Sequence, residues 1–171
     1  MASFLKALHM PAPDSAPTNP VRGVPLSNRA ESVEIRLSRP RETTAAITPQ
    51  LELAWRRGLT AKSADRAVWL HGDLHPRNVL VRDGKLSGVI DWGDMTCGDV
   101  ATDLACIWML FGDQSARERA LSCYGASDAE RARAMAWAVL FGAVLLDSGL
   151  VDNKHHALIG EVTFARVKDD V

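Results

Sequence analysis

The sequence predicts an α+β fold that is mostly helix, with one small β-hairpin set among the helices. Three observations predict it. Apolar residues recur at three- and four-residue steps through several stretches of the chain. Two short apolar runs, Val79-Leu80-Val81 and Leu86-Ser87-Gly88-Val89-Ile90, flank Asp83-Gly84, a strong two-residue hairpin turn. Two Ser-x-x-Glu capping boxes, Ser115–Glu118 and Ser127–Glu130, announce helices near 116 and 128.

In chain order, residues 2–9 read as a short helix with Phe4, Leu5 and Leu8 on one side. Residues 10–27, rich in Pro, Asn and Ser, read as a loop. A helix over 28–38 carries Ala30, Val33 and Leu37 on one face. The next has Thr48 as N-cap and Pro49 at its first position, then Leu51, Trp55 and Leu59 at four-residue steps. Val68 to Leu70 is a short strand entering the His71 loop, and the hairpin follows. Asp99 to Phe111 reads as one buried helix. The helix from 128 runs to about Leu146 with Gly149 as its stop, and a last helix covers 154–167. No internal repeat interrupts this order, and residues 1–171 are expected to form a single domain.

Composition excludes several classes. The formal charge of −1 gives no global reason to expect nucleic acid or an anionic membrane. The arginines are scattered as on solvated helix faces. Cys97, Cys106 and Cys123 are odd in number and lack CxxC spacing, which argues against a disulfide framework or zinc ribbon and fits a reducing cytoplasm. The N-terminus has too short an apolar run for a secretory signal. Ala134 to Leu146 falls short of the roughly 20 residues a bilayer span needs, so it is expected to be a core helix of a soluble protein.

The chemistry concentrates in His71-Gly72-Asp73-Leu74-His75-Pro76-Arg77-Asn78 and Ile90-Asp91-Trp92-Gly93-Asp94. Phosphoryl transfer asks for a base near the attacking hydroxyl and for oxygen ligands that hold magnesium against the phosphates. Asp73 suits the first job, Asn78 and Asp91 the second. With Arg82 facing Lys85 across the turn, counting back sets Asn78 opposite Val89. Asp91, two residues on, then points to the same side as Asn78. The diagonal is roughly 7–8 Å, within reach of one shared cation with a few hard oxygen ligands.

These motifs, with Gly98-Asp99-x-x-x-Asp103-Leu104-Ala105 after them, resemble the aminoglycoside phosphotransferase family, a branch of the protein-kinase-like fold. The match is to its C-terminal lobe. Phe4 to His9 is similar to the first helix of that lobe, and Arg131 to Leu146 to its later core helix. The resemblance implies that Asp73 is the catalytic base, that Asn78 and Asp91 hold Mg2+, that His71 is a structural member of the loop, and that Asp103 braces the loop backbone from below. It implies ATP as co-substrate and a hydroxylated small molecule as acceptor. Arg77 and Val100 depart from the family's usual glycine and proline without removing a chemical group.

The family's N-terminal lobe supplies a Gly-rich phosphate loop and a phosphate-gripping lysine. Neither is found in this sequence: no Gly-x-Gly-x-x-Gly occurs, and Lys6 and Lys62 are the only lysines upstream of His71. Loss of both is worth several factors of ten in rate. The expectation is therefore a small-molecule kinase lobe, incomplete without a partner chain carrying the other lobe. The alternative is a non-catalytic remnant or interaction domain that self-associates through its exposed apolar face. A third reading makes His71, Asp73 and His75 the ligands of a metal-dependent hydrolase. Asp94 and Asp99 are candidates for attracting a cationic amino sugar, with an N-cap role for Asp99 as the bland reading. Trp92 is either core or substrate wall, Trp108 is core, and His155-His156 is expected on a solvated helix face.

Overall fold

The computed structural model describes residues 1–38, 47–151 and 153–171. It is mostly helical, as the sequence predicts, but carries two small two-stranded sheets where one hairpin was expected. Its helices are α1 (Ala2–Leu8), α2 (Ala30–Ser38), α3 (Pro49–Thr60), α4 (Ala101–Leu104), α5 (Cys106–Leu110), α6 (Gln114–Tyr124), α7 (Asp128–Val151) and α8 (Lys154–Asp169). Four strands, β1 (Val68–Leu70), β2 (Val79–Arg82), β3 (Lys85–Val89) and β4 (Thr96–Gly98), lie between α3 and α4.

α7 is the spine. Ala134, Ala136, Trp137, Ala138, Val139, Leu140, Ala143 and Leu146 along it are all but inaccessible. α3, α4 and α8 pack around it. By length and composition it could cross a membrane, yet two thirds of that apolar window (67%) is buried within the protein. The Ser127–Glu130 capping box forms as predicted: the Ser127 N–H donates to Glu130 Oε2 at 2.8 Å and the Glu130 N–H to Ser127 Oγ at 3.3 Å.

Gly149 does not end this helix. It lies inside α7, where a Cβ would stand 2.1 Å from the Ala157 nitrogen of α8. Gly142 and Gly160 continue the same seam. A Cβ on Gly142 would meet the Phe164 ring at 2.6 Å, and one on Gly160 the Gly142 carbonyl oxygen at 2.7 Å. Here glycine buys close approach of two backbones rather than a stop.

Other expectations shift for local reasons. α6 begins two residues early because the Asp113 carboxylate, not Ser115, accepts the Ala116 N–H at 2.8 Å; Ser115 Oγ donates to that carboxylate instead. Thr48 sits at the N-cap of α3 in extended conformation, but its hydroxyl makes no cap bond. Leu51 and Trp55 are buried, whereas Leu59 is exposed and Gly58 takes its place against Ala136 of α7. The helix expected over Asp99 to Phe111 is broken into α4 and α5 around Ala105, with an i→i+3 bond from the Trp108 N–H to the Ala105 carbonyl.

Sequence reading missed β4. It pairs antiparallel with β1 in the register Val68↔Gly98, Trp69↔Cys97, Leu70↔Thr96. The segment between them, 71–95, is thus closed at its base like a loop tied at the neck. That segment contains every predicted site residue except Asp99 and Asp103.

Candidate active site

β2 and β3 form the predicted hairpin, with Arg82 opposite Lys85 and Asp83-Gly84 at the tip in left-handed conformation. The register then departs from the expectation. Val81 pairs with Leu86 but Leu80 with Gly88, so Ser87 is bulged out, and Val79, not Asn78, faces Val89. Asn78 lies opposite Ile90, whose N–H donates to its carbonyl at 3.0 Å. The argument that alternation alone puts Asn78 and Asp91 on one side therefore fails. Asp91 leaves the strand path altogether, at φ 62° and ψ 67°, a left-handed conformation uncommon for a non-glycine residue.

The His71 turn is held from beneath. Asp103, fully buried, accepts the His71 N–H at 2.8 Å through one oxygen and the Gly72 N–H at 2.9 Å through the other. His9 Nε2 lies 3.3 Å from the same carboxylate, and its Nδ1 meets the Tyr124 hydroxyl at 2.7 Å. Both nitrogens of His71 are spoken for: Nδ1 accepts the Asp73 N–H at 3.2 Å and Nε2–H donates to the Ile90 carbonyl at 3.0 Å. His71 thus staples the 71–78 loop to the end of the hairpin. In this arrangement neither of its nitrogens is turned to a metal, so the geometry lends the hydrolase reading no support. Among the described residues no group of three His, Cys, Asp or Glu side chains is disposed to hold a metal ion.

Asp73 is half-buried at the mouth of a pocket of about 200 Å³. Asn78 Nδ2 donates to its carbonyl at 2.9 Å and approaches Oδ2 at 3.4 Å. His75 Nε2 lies 3.2 Å from Oδ2. Arg22 Nη2 donates to Oδ1 at 3.0 Å. Burial pushes the Asp73 carboxyl up, but the His75 hydrogen bond and the Arg22 charge outweigh it and hold it below the usual carboxylate range. Asn78 is 4% exposed, and with its NH2 turned to Asp73 its amide oxygen accepts nothing from a described residue. Asp91 is exposed and has neither hydrogen-bond nor ion-pair partner among the described residues.

Arg22 is the residue sequence reading missed. It stands in the segment expected only to be loop, and it joins Asp73 to Asp94, whose Oδ2 is 3.4 Å from Arg22 Nε. The loop is built to deliver it. Asn19 Oδ1 accepts the N–H groups of Val21 and Arg22 at 2.9 and 3.1 Å, an Asx turn readable from the Asn-Pro pair. Gly23, at φ 69°, then packs against Gly98 so closely that a Cβ on Gly98 would meet its carbonyl at 2.2 Å. The Arg22 guanidinium lies 4.9 Å over the Phe141 ring.

The remaining candidates play other parts. Asp94 is tied to Arg22 and to Asn19 Nδ2 at 3.2 Å, so it is not free to attract a cation. Asp99 is buried, takes Arg133 Nε and Nη2 at 2.6 and 3.0 Å, and accepts the Ala101 N–H. Trp92 stacks 4.6 Å from His71 and donates to the Val89 carbonyl; it buttresses the loop and does not line the pocket beside Asp73. Trp108 is core, as expected. His155 is exposed, as expected, and the half-buried His156 lines that pocket and meets Arg77 Nη1 at 2.5 Å.

Solved structures share this fold. The chain matches a macrolide 2'-phosphotransferase type I at TM-score 0.50 and 24% identity, over 95% of this chain and 56% of that one. It matches the gentamicin–APH(2")-IIa complex at 0.53 and 20%, over 96% and 59%. Aminoglycoside phosphotransferase APH(2'')-Ib with ADP bound matches at 0.52 and 21%, over 96% and 60%. The chain thus spans little more than half the length of these proteins. The uncharacterised protein YcbJ of Bacillus subtilis (strain 168) is 33% identical over 57 residues, 29% of this chain and 19% of that protein. A family model for phosphotransferase enzymes (APH) matches residues 1–137, and the chain belongs to that family.

Proposed function

We propose that this chain is the acceptor-side, C-terminal lobe of a small-molecule kinase that moves the γ-phosphate of ATP to a substrate hydroxyl. The observation that carries the reading is the set of three oxygen-bearing groups at one loop and hairpin. Asp73 is clamped at a pocket mouth, Asn78 has a free amide oxygen, and Asp91 is unpaired in a left-handed backbone. Asp73 would take the hydroxyl proton as the acceptor oxygen bonds to the γ-phosphorus and the bond to the leaving ADP oxygen breaks. Its hydrogen bonds to His75, Asn78 and Arg22 keep it ionised and oriented for that task.

Hard, unengaged oxygens are the donors magnesium prefers, so Asn78 and Asp91 fit as its ligands. Bound there, magnesium would neutralise charge on the transferring phosphates. No lysine lines the Asp73 pocket, and Lys62 pairs with Asp65 at 2.9 Å. The phosphate-covering loop and its lysine would come from polypeptide beyond these 171 residues, supplied as a second lobe. A second reading, a non-catalytic interaction domain, draws on the exposed apolar side chains of Leu80, Val81, Ile90, Trp92 and Met95 along the hairpin and the turn after it.

Calorimetric titration of magnesium–ATP decides between them. Weak, magnesium-dependent binding that disappears in Asp91→Ala and persists in Asp73→Ala is expected. Binding that ignores magnesium, or an Asp91→Ala chain that binds as well as the parent, refutes the ligand assignment. With an N-terminal lobe supplied, Asp73→Ala should lower turnover by about 10²-fold or more with little change in fold stability.

A further inference from the structure

The pocket behind Asp73 has a lining that constrains the acceptor. Phe141, Val144 and Leu145 of α7, Met109 of α5 and Leu74 give it an apolar part, to which Ser148 and His156 add neutral polar groups. At about 200 Å³ it is smaller than the roughly 300–1,000 Å³ that holds a drug-sized ligand. It has room for one ring or short branch, with the remainder of the molecule outside. Its charged part is the mouth, where Asp73 meets Arg22, with His75 beside them.

Charge at that mouth is already balanced. Asp73 is the one carboxylate lining the pocket among the described residues, and the Arg22 guanidinium is bonded to it at 3.0 Å. The next carboxylate, Asp94, is held by the same guanidinium and by Asn19. An ammonium group entering here would find no free carboxylate and would stand against a fixed cation. Arg22 cannot readily swing aside, because the Asn19 turn, the Gly23–Gly98 contact and the Phe141 ring all position it.

We propose that this pocket is the acceptor site, that it takes an uncharged hydroxylated molecule through an apolar ring or branch, and that Arg22 is the specificity-determining residue that turns polycations away. The assignment rests on the phosphotransferase reading of Asp73. It is offered against the expectation of a cationic amino sugar drawn in by Asp94 and Asp99.

The test is an NMR titration of the full 171-residue chain with phenyl β-D-glucoside as the uncharged probe and gentamicin as the polycation. The glucoside should shift the amide signals of Phe141, Val144 and Leu145 saturably, whereas gentamicin should not saturate there. Val144→Trp, which fills the pocket, should weaken the glucoside by about tenfold or more. Arg22→Gln, which frees Asp73 and Asp94, should tighten gentamicin by about tenfold. Tighter binding of gentamicin than of glucoside to the parent, no shift at those three residues, or indifference to Val144→Trp would each overturn the assignment. Magnesium–ATP titration keeps the two readings apart. Nucleotide binding alongside any of those outcomes sinks the acceptor assignment alone, and absent nucleotide binding sinks the kinase reading whatever the probes do.

Discussion

Replacing Asp103 by alanine should cost more stability than any other single polar truncation beneath the His71 loop. The carboxylate is fully buried and accepts two backbone N–H groups, from His71 at 2.8 Å and Gly72 at 2.9 Å. Its removal leaves both donors dry and unpaired, at about 1–3 kcal/mol each, so about 4 kcal/mol together. That is a large part of the roughly 5–15 kcal/mol that holds a domain folded. Asp103→Asn should lose about half as much, because the amide oxygen keeps one N–H while its NH2 faces the other. Urea unfolding measures this directly. With a slope of about 2 kcal/mol/M, Asp103→Ala should move the midpoint down by about 2 M at unchanged slope. Hydrogen exchange adds a local readout: the His71 and Gly72 amides should lose protection first. A loss under about 1 kcal/mol for Asp103→Ala, with those amides still protected, would refute the bracing role.

Two further outcomes follow from groups outside the site. Asp170 receives Arg117 Nε and Nη2 at 2.7 and 2.6 Å and the Trp108 indole N–H at 2.9 Å, with both charged side chains almost wholly buried. Asp170→Ala should therefore destabilise by about 3–5 kcal/mol in denaturant melts, since it strands a buried guanidinium; a near-neutral change would contradict that burial. Asp113 is held below its ordinary pKa first by the Ser115 hydroxyl and then by the Ala116 N–H. A depressed carboxyl stabilises the fold above its unfolded pKa of about 3.9, and that contribution is lost as pH falls through the folded value. Ser115→Ala should raise the Asp113 pKa, read by carboxyl 13C shifts against pH, and no movement would disprove the attribution.

The legible part of this protein was the part encoded locally. The Asp83-Gly84 turn, the Ser127–Glu130 box and the apolar stretch of α7 each carry their own signal within a few residues, and each is where the sequence reading put it. The bracing of His71 and Gly72 by Asp103 was expected from the family resemblance rather than from spacing. What sequence reading missed depends on distant backbone. A bulge at Ser87 has no compositional mark beyond Gly88, yet it moves Asn78 by one register step. β4 is three residues long and exists because β1 is beside it. Gly149 looks like a helix stop until α8 is seen to need the space. Arg22 reaches Asp73 across 51 positions of sequence, and nothing in Pro-Val-Arg-Gly says where that loop lands.

The glycine seam between α7 and α8 bears on how this pocket can change over generations. Where main chain rests on main chain, no layer of side chains remains to shear, so α7 cannot roll to widen the cavity it walls. A lineage drifting toward bulkier acceptors would have to trim Phe141, Val144 or Leu145 where they stand and leave residues 142, 149 and 160 alone. The fold thereby separates what may vary from what may not: the pocket-facing side chains of α7 are open to selection, while the glycine seam beside them is locked.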